Sequence, residues 1–422
     1  MNRREITQLL AIASAANLLP RTAFSNHSES TPEGMYNVPK FGNARLLHIT
    51  DSHAQLLPVY FREPSINIGI HREDGKPPHI VGKPFLDYFN MTAGTAQAHA
   101  FTSLDFVSCA KRYGKVGGYA YLSTLVKQLR QSYGPDDHSL LLDGGDTWQG
   151  SATAYWTRGK DMVEASNILG VDVMTGHWEF TYQDTEVLEN IEAFNGEFIA
   201  QNVKVNEDAL FEGSPAYDED TGHAFKPYVI KPMGEHRVAI IGQAFPYTPI
   251  ANPKRFIPDW TFGIQSGELQ QLIDEVKEAE QPDAIILLSH NGMDVDLKLA
   301  ATVSGLDVIL GGHTHDGVPK PVHVKNATGK TLVTNAGSNG KYIGVLDLEL
   351  GKGQVKDFRY TLLPVFSNYI EADPEMETFI NDVRAPYASQ LAEPLAVSDN
   401  LLYRRGNFNG TFDQVICDAL RQ

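Results

Sequence analysis

The chain has 422 residues, two cysteines, 42% apolar residues and a formal charge of −17. That length suits one large α/β domain or two unequal ones, and the ordinary composition excludes disordered and fibrous classes. The negative charge argues against a nucleic-acid surface, because backbone phosphates are repelled without a basic face. An anionic substrate therefore has to be drawn in locally, by a metal ion or an arginine.

At the N-terminus, Arg3-Arg4 precedes a modestly apolar run from Leu9 to Leu19 that is too short to span a bilayer. Residues 1–25 read as a twin-arginine export signal, with cleavage near Ala23-Phe24-Ser25, which implies a periplasmic protein exported already folded. Residues 26–44 form an extended lead-in rich in Ser, Pro, Gly and Asn. A first strand is expected over Arg45 to Thr50. From residue 57 to 112 the chain carries Pro, Gly, His and aromatic residues without clear periodicity, far longer than an ordinary βα connection. This excursion is expected to lie over the metal-bearing edge and to shape the substrate mouth, with a short ordered element over Phe101 to Ala110.

Beyond it, helical and strand-like segments alternate. Helices are expected at Tyr121 to Leu129, Met162 to Leu169, Asp184 to Ala193, Ser266 to Ala279 and Val295 to Val303. Strands are expected at Ser139 to Asp143, Val171 to Met174, Phe198 to Gln201, His236 to Phe245, Ala284 to Leu288, Val308 to Leu310, Lys330 to Asn335 and Tyr342 to Leu350. The alternation predicts layered sheets with helices outside. Residues 370–392 read as a linker helix interrupted by Pro386, and residues 393–422 as the opening of a truncated C-terminal domain, with Thr411 capping a last helix. Cys109 and Cys417 cannot build a cysteine-rich zinc site or a multi-bridge framework.

Five of the apolar runs end in histidine or aspartate: Asp51-Ser52-His53, Gly144-Gly145-Asp146, Gly176-His177-Trp178-Glu179, Ser289-His290-Asn291-Gly292 and Gly311-Gly312-His313-Thr314-His315. Loops at the carboxyl ends of strands in such a sheet converge on one crevice. The candidate metal ligands are Asp51, His53, Asp146, His177, His290, His313 and His315. Seven ligands exceed one tetrahedral ion and suit two ions sharing a carboxylate. Imidazole and carboxylate without thiolate suit Mn, Fe or Zn, with manganese favoured. Gly144, Gly145, Gly176, Gly311 and Gly312 are expected to supply positive φ or close approach, and Asn291 and Asn335 are candidates to orient the imidazoles. His48, inside the first strand, reads as a core residue, and His71 and His99 draw attention only through their place in the excursion.

The five motifs in this order resemble the metallophosphatase domain of the 5′-nucleotidase family across about residues 45 to 350. The resemblance implies an α/β/β/α sandwich, here over residues 45–369, followed by a substrate-recognition domain. It also implies the division of ligands: Asp51, His53, Asp146 and His315 on one ion, and Asp146, His177, His290 and His313 on the other. The third motif departs from the family's usual Gly-Asn-His-Glu. His177 stands where the family has a metal-binding Asn, and Trp178 where it has an assisting His. Tryptophan cannot shuttle protons near neutral pH.

That departure, the twin arginine and the excursion together resemble the SoxB-type thiosulfohydrolases of bacterial sulfur oxidation. The resemblance implies a dimanganese hydrolase that releases sulfate from a cysteine S-thiosulfonate on a SoxYZ-type carrier protein, and the attacking group expected for it is a hydroxide held between the ions. Trp178 is then a candidate pocket wall, its other role being to line the core beside Phe180. A periplasmic 5′-nucleotidase or cyclic phosphodiesterase shares every ligand, and a non-catalytic metal-loaded scaffold is the alternative of another class.

Overall fold

The computed structural model describes residues 32–69, 73–134, 138–404 and 410–422. Expectations for the export signal, for the start of the lead-in and for His71 fall outside them. The chain divides into residues 1–37, whose described part holds a 3-10 turn at Pro32–Tyr36, and residues 38–422, which carry everything below.

In chain order the strands are β1 (Ala44–Ile49), β2 (Ser139–Asp143), β3 (Val173–Met174), β4 (Glu197–Phe198), β5 (Lys204–Val205), β6 (Tyr228–Met233) and β7 (His236–Gln243). There follow β8 (Trp260–Thr261), β9 (Ala284–Ser289), β10 (Val308–Gly311), β11 (Val322–Lys325), β12 (Lys330–Asn335), β13 (Tyr342–Gly351) and β14 (Gln354–Pro364). They form two six-stranded sheets, β14-β13-β1-β2-β3-β4 and β11-β12-β10-β9-β7-β6, and a small β5-β8 ribbon. Strands β1 to β4 run parallel, as do β7, β9, β10 and β12. Each sheet thus gathers several carboxyl ends on one edge.

The sequence dictates this through runs that are apolar on both faces. Leu46-Leu47 in β1, Leu140-Leu141-Leu142 in β2 and Ile285-Ile286-Leu287-Leu288 in β9 are buried throughout, as strands covered on both sides must be. Leu46, Leu142 and Val173 pack against Ile240, Ile286, Leu288 and Leu310 in a core between the two sheets. The opposite face of the second sheet packs Ile241, Leu287 and Ile309 against Leu269, Ile273 and Leu299 of the helices Ser266–Glu280 and Met293–Thr302. Outside the first sheet, the helices Tyr119–Tyr133, Lys160–Leu169 and Pro374–Arg384 pack on one another. The result is the expected α/β/β/α sandwich. Each fully buried Leu or Ile in it contributes about 1.5–3 kcal/mol. A buried fork from Arg45 to Asp347, with Nε–Oδ1 at 2.6 Å and Nη2–Oδ2 at 2.7 Å, fixes the antiparallel pairing of β1 with β13.

Several expectations need correction. The excursion holds three short helices, Gly82–Phe89, Ala96–Phe101 and Phe106–Tyr113, each too short for its periodicity to stand out. Strands β6, β11 and β14 were not anticipated, because they alternate or lie half-exposed rather than forming apolar runs. At Pro386 the linker helix breaks into Pro374–Arg384, a 3-10 turn and Ala388–Leu391, as a residue lacking an amide N–H requires. The last helix begins at Thr411 itself, whose hydroxyl bonds Leu401 O and Tyr403 N rather than capping it.

Candidate metal centre

The carboxyl ends of β1, β2, β3, β9 and β10 deliver all seven candidate ligands to one crevice between the two sheets. Their ligand atoms fall into two groups, each within 4.8 Å: Asp51, His53, Asp146 and His315 in one, and His177, His290 and His313 in the other. Asp146 Oδ2 lies 3.4 Å from His53 Nε2, 3.3 Å from His177 Nδ1 and 4.0 Å from His290 Nε2, so it faces both groups. Asp51 Oδ1 lies 3.2 Å from His315 Nε2 and 3.5 Å from His290 Nε2. The imidazoles of His53 and His315 approach to 2.9 Å between their Nε2 atoms.

Such crowding of ligand atoms fits a pair of divalent cations. His177 is buried with no hydrogen bond to either ring nitrogen among the described residues, and the same holds for His290 Nε2. Buried polar atoms normally find partners, and a cation between them supplies one. The residues of each group can hold one ion, with Asp146 able to bridge.

The electrostatics agree. Burial opposes ionisation of Asp51, yet the imidazoles of His290, His315 and His53 around it hold its carboxyl well below the usual carboxylate range. Burial and then the neighbouring His290 hold His313 down to about 4, and the same two causes push His177 lower still. Both imidazoles are therefore neutral near pH 7, the form a metal ligand needs.

Local backbone geometry is unusual. Asp51, His53, Asp146, His313 and His315 all adopt positive φ, between 48° and 72°. Left-handed conformations cost non-glycine residues free energy and persist where the surroundings enforce them, often at functional sites. Of the two parts expected of the glycines, close approach holds at Gly144, Gly145, Gly176, Gly311 and Gly312, whereas only Gly145 has positive φ, at +89°. Gly312 instead has no room for a side chain, since a Cβ would collide with Thr50 Oγ1 and come within 2.9 Å of His290 Nδ1.

Orientation also comes from unexpected residues. His290 Nδ1–H donates to the Gly144 carbonyl at 2.6 Å, which turns Nε2 toward the centre. Asn291 bonds Gln243 and Asp296, and Asn335 bonds Gly312 O and Gly337 N, so among the described residues neither hydrogen-bonds an imidazole. Glu179, not singled out as a functional residue, is fully buried and accepts from the amides of Asp146 (3.2 Å), Thr147 (2.7 Å), Trp148 (3.1 Å) and His177 (2.7 Å). Its only sequence signal is its fixed place after Gly176-His177-Trp178. His48 is buried in β1 as expected, with burial holding it down to about 3. His99 is likewise a packed residue, beside Phe106, Tyr113 and Phe366.

The excursion lies against this crevice. Phe61, Phe85, Phe89, Phe101 and Tyr342 join Thr314, His315 and Asp316 around a groove of about 360 Å³. Trp178 is half-buried against the ring of His177, at 4.9 Å between centroids, whereas Phe180 is buried among Phe198, Phe225, Trp260 and Phe262.

Residues 44–317 match the family model of calcineurin-like phosphoesterases. The chain belongs to this family. A solved relative, sulfate thiohydrolase SoxB of Thermus thermophilus in complex with glycerol, is 35% identical and superposes with a TM-score of 0.84, covering 92% of this chain and 68% of its own. The expected resemblance to SoxB therefore holds. A 5′-nucleotidase precursor, also from Thermus thermophilus, is 22% identical with a TM-score of 0.63, covers 84% of this chain and 60% of its own, and shares the fold. Among curated proteins, the 5′-nucleotidase of Bos taurus is 28% identical over 343 residues, which are 76% of this chain and 57% of that protein. The chain thus spans somewhat over half the length of such relatives.

Proposed function

We propose that this metallophosphatase-family hydrolase releases sulfate from a cysteine S-thiosulfonate on a SoxYZ-type carrier protein, using two divalent cations, manganese in the first instance. The observation that carries this reading is the third loop. His177 joins the group that can hold the second ion, and the next position, where the family resemblance implies an assisting imidazole, is a tryptophan against that ligand. The likeness to SoxB supports it.

Two cations held by these groups would supply charge that draws in a sulfonate, and Lewis acidity that activates water. Asp51, Asp146 and the five histidines hold that charge in place within an otherwise acidic protein. Trp178 can donate a hydrogen bond but cannot deliver and recover a proton. Water oxygen bonds to the terminal sulfonate sulfur, the sulfur–sulfur bond breaks, its electron pair leaves on the carrier's persulfide, and the two protons of the water pass to solvent. That leaving group is better than an alkoxide and does not require an imidazole acid.

The same reading takes residues 45–369 as the catalytic domain with its insertion at 57–112, residues 370–392 as a linker and residues 393–422 as the opening of a substrate-recognition domain. It takes Arg3-Arg4 as an export signal to the periplasm. Among the described residues no helix is long and apolar enough to cross a membrane.

The test is sulfate release from thiosulfonate-loaded carrier by the full-length protein, with metal content measured on the same sample. Sulfate formed in proportion to bound metal is the expected result. Phosphate release from nucleoside monophosphates without sulfate release would replace this reading with the nucleotidase one, which the curated relatives favour. Carrier binding without turnover would leave a scaffold.

A further inference from the structure

The histidines of the centre differ in exposure, and the second group is not uniformly buried, for His313 is half-buried. The side chains of His53 and His315 are 20% and 16% exposed, whereas those of His177 and His290 are 3% and 0% exposed. They also differ in how their imidazoles are held. A metal-ligating histidine is usually oriented by a hydrogen bond from its outer ring nitrogen, as the Gly144 carbonyl orients His290. His177 lacks this device: Nδ1 faces Asp146, and Nε2 is buried without a hydrogen-bond partner among the described residues.

Packing takes its place. The Phe245 ring stands 4.2 Å from the ring of His177 and 4.1 Å from that of His313, between centroids, and 6.4 Å from that of His290. Phe245 is itself 8% exposed, and its amide donates to Gly176 O at 3.0 Å, which ties the end of β7 to the loop bearing His177. Trp178 packs against His177 at 4.9 Å, and Tyr247 backs Phe245 at 5.9 Å.

We propose that Phe245 is a positioning residue for the second metal site, packed against the rings of both His177 and His313, which themselves stand 5.1 Å apart between centroids, so that it fixes both imidazole planes and makes the ion held there the slower of the two to exchange. An aromatic ring suits this place because it is flat, stiff and apolar. It restricts rotation of both neighbours and keeps water from the inner ion, and the shell around a site governs solvent access to it. Without the ring, the imidazole of His177 has no hydrogen bond to hold its plane.

The inference rests on the two-ion reading, not on the identity of the substrate. Metal-free protein is reloaded with Mn(II), and calorimetry, bound-metal analysis and release into a chelator are followed for wild type, Phe245→Leu and Phe245→Tyr. Wild type is expected to bind two equivalents, one leaving more slowly. In Phe245→Leu, which keeps an apolar side chain to support folding, the slow equivalent should bind about 10–100-fold more weakly, as removal of outer-shell supports commonly does. The fast equivalent and the melting temperature of the metal-free protein should be unchanged, and Phe245→Tyr should restore the slow phase. Unchanged affinity and release in Phe245→Leu would overturn the inference, as would equal weakening of both equivalents. Wild type that takes up fewer than two ions would overturn the two-ion reading and this inference with it.

Discussion

Glu179 shows how one side chain can hold a metal centre without touching it. Its two oxygens collect four amides, two of them belonging to the candidate ligands Asp146 and His177. Hydrogen bonds to an ionised acceptor are roughly twice as strong as neutral ones. Glu179→Gln keeps the shape but loses the charge, and one of its terminal atoms becomes a donor that faces amides. The expected outcome is a loss of metal affinity of about 10–100-fold measured by calorimetry, with a lower melting temperature in the metal-free protein. The seven candidate ligands stood out because each ends an apolar run beside glycine, serine or threonine. Glu179 was not, since the amides it collects belong to two loops that only folding brings together. The same holds for Phe245, which lies at the end of a strand with nothing polar to mark it.

Elements differ in the same way. Most strands and helices of the sandwich were readable because their apolar pattern reflects burial on defined faces. The half-exposed strands β6, β11 and β14 lack such a run, and the excursion is held by individual contacts that leave no period. One is the pair between Lys341 and Glu63, whose side chains are 3% and 15% exposed. The Lys341 ammonium also sits 3.9 Å above the ring of Phe61 and 4.6 Å from that of Tyr342. This pair fastens the excursion beside the loop whose Asn339 amide bonds the Asp51 carbonyl at 2.8 Å. Removing one partner of a buried pair costs several kcal/mol, while replacing both by apolar groups is often neutral. Glu63→Ala should therefore lower stability by about 3 kcal/mol in denaturant titration. The double variant Glu63→Leu with Lys341→Met should recover most of that loss. Equal stability of Glu63→Ala and wild type would show that the excursion is fastened elsewhere.

For the whole molecule, the centre joins the two sheets. Asp51, His53, Asp146 and His177 follow strands of the first sheet, and His290, His313 and His315 follow strands of the second. Removing the ions should therefore lower the melting temperature of the entire sandwich in calorimetry. The stabilisation at stake is about 2.7 kcal/mol per site when free ion stands at 100 times its Kd, and it should return as Mn(II) is added back. A melting temperature that ignores both chelator and Mn(II) would count against resident ions. The spread of the ligands along the chain also sets an order of events during synthesis. The first group needs both Asp51 and His315, and the second is incomplete until His313 has been made. A ribosome that has translated as far as His290 has produced every ligand of the first sheet and still offers no complete seat for an ion. On the proposed ligand assignment, metal loading would be a late event, one that waits for the second sheet to form.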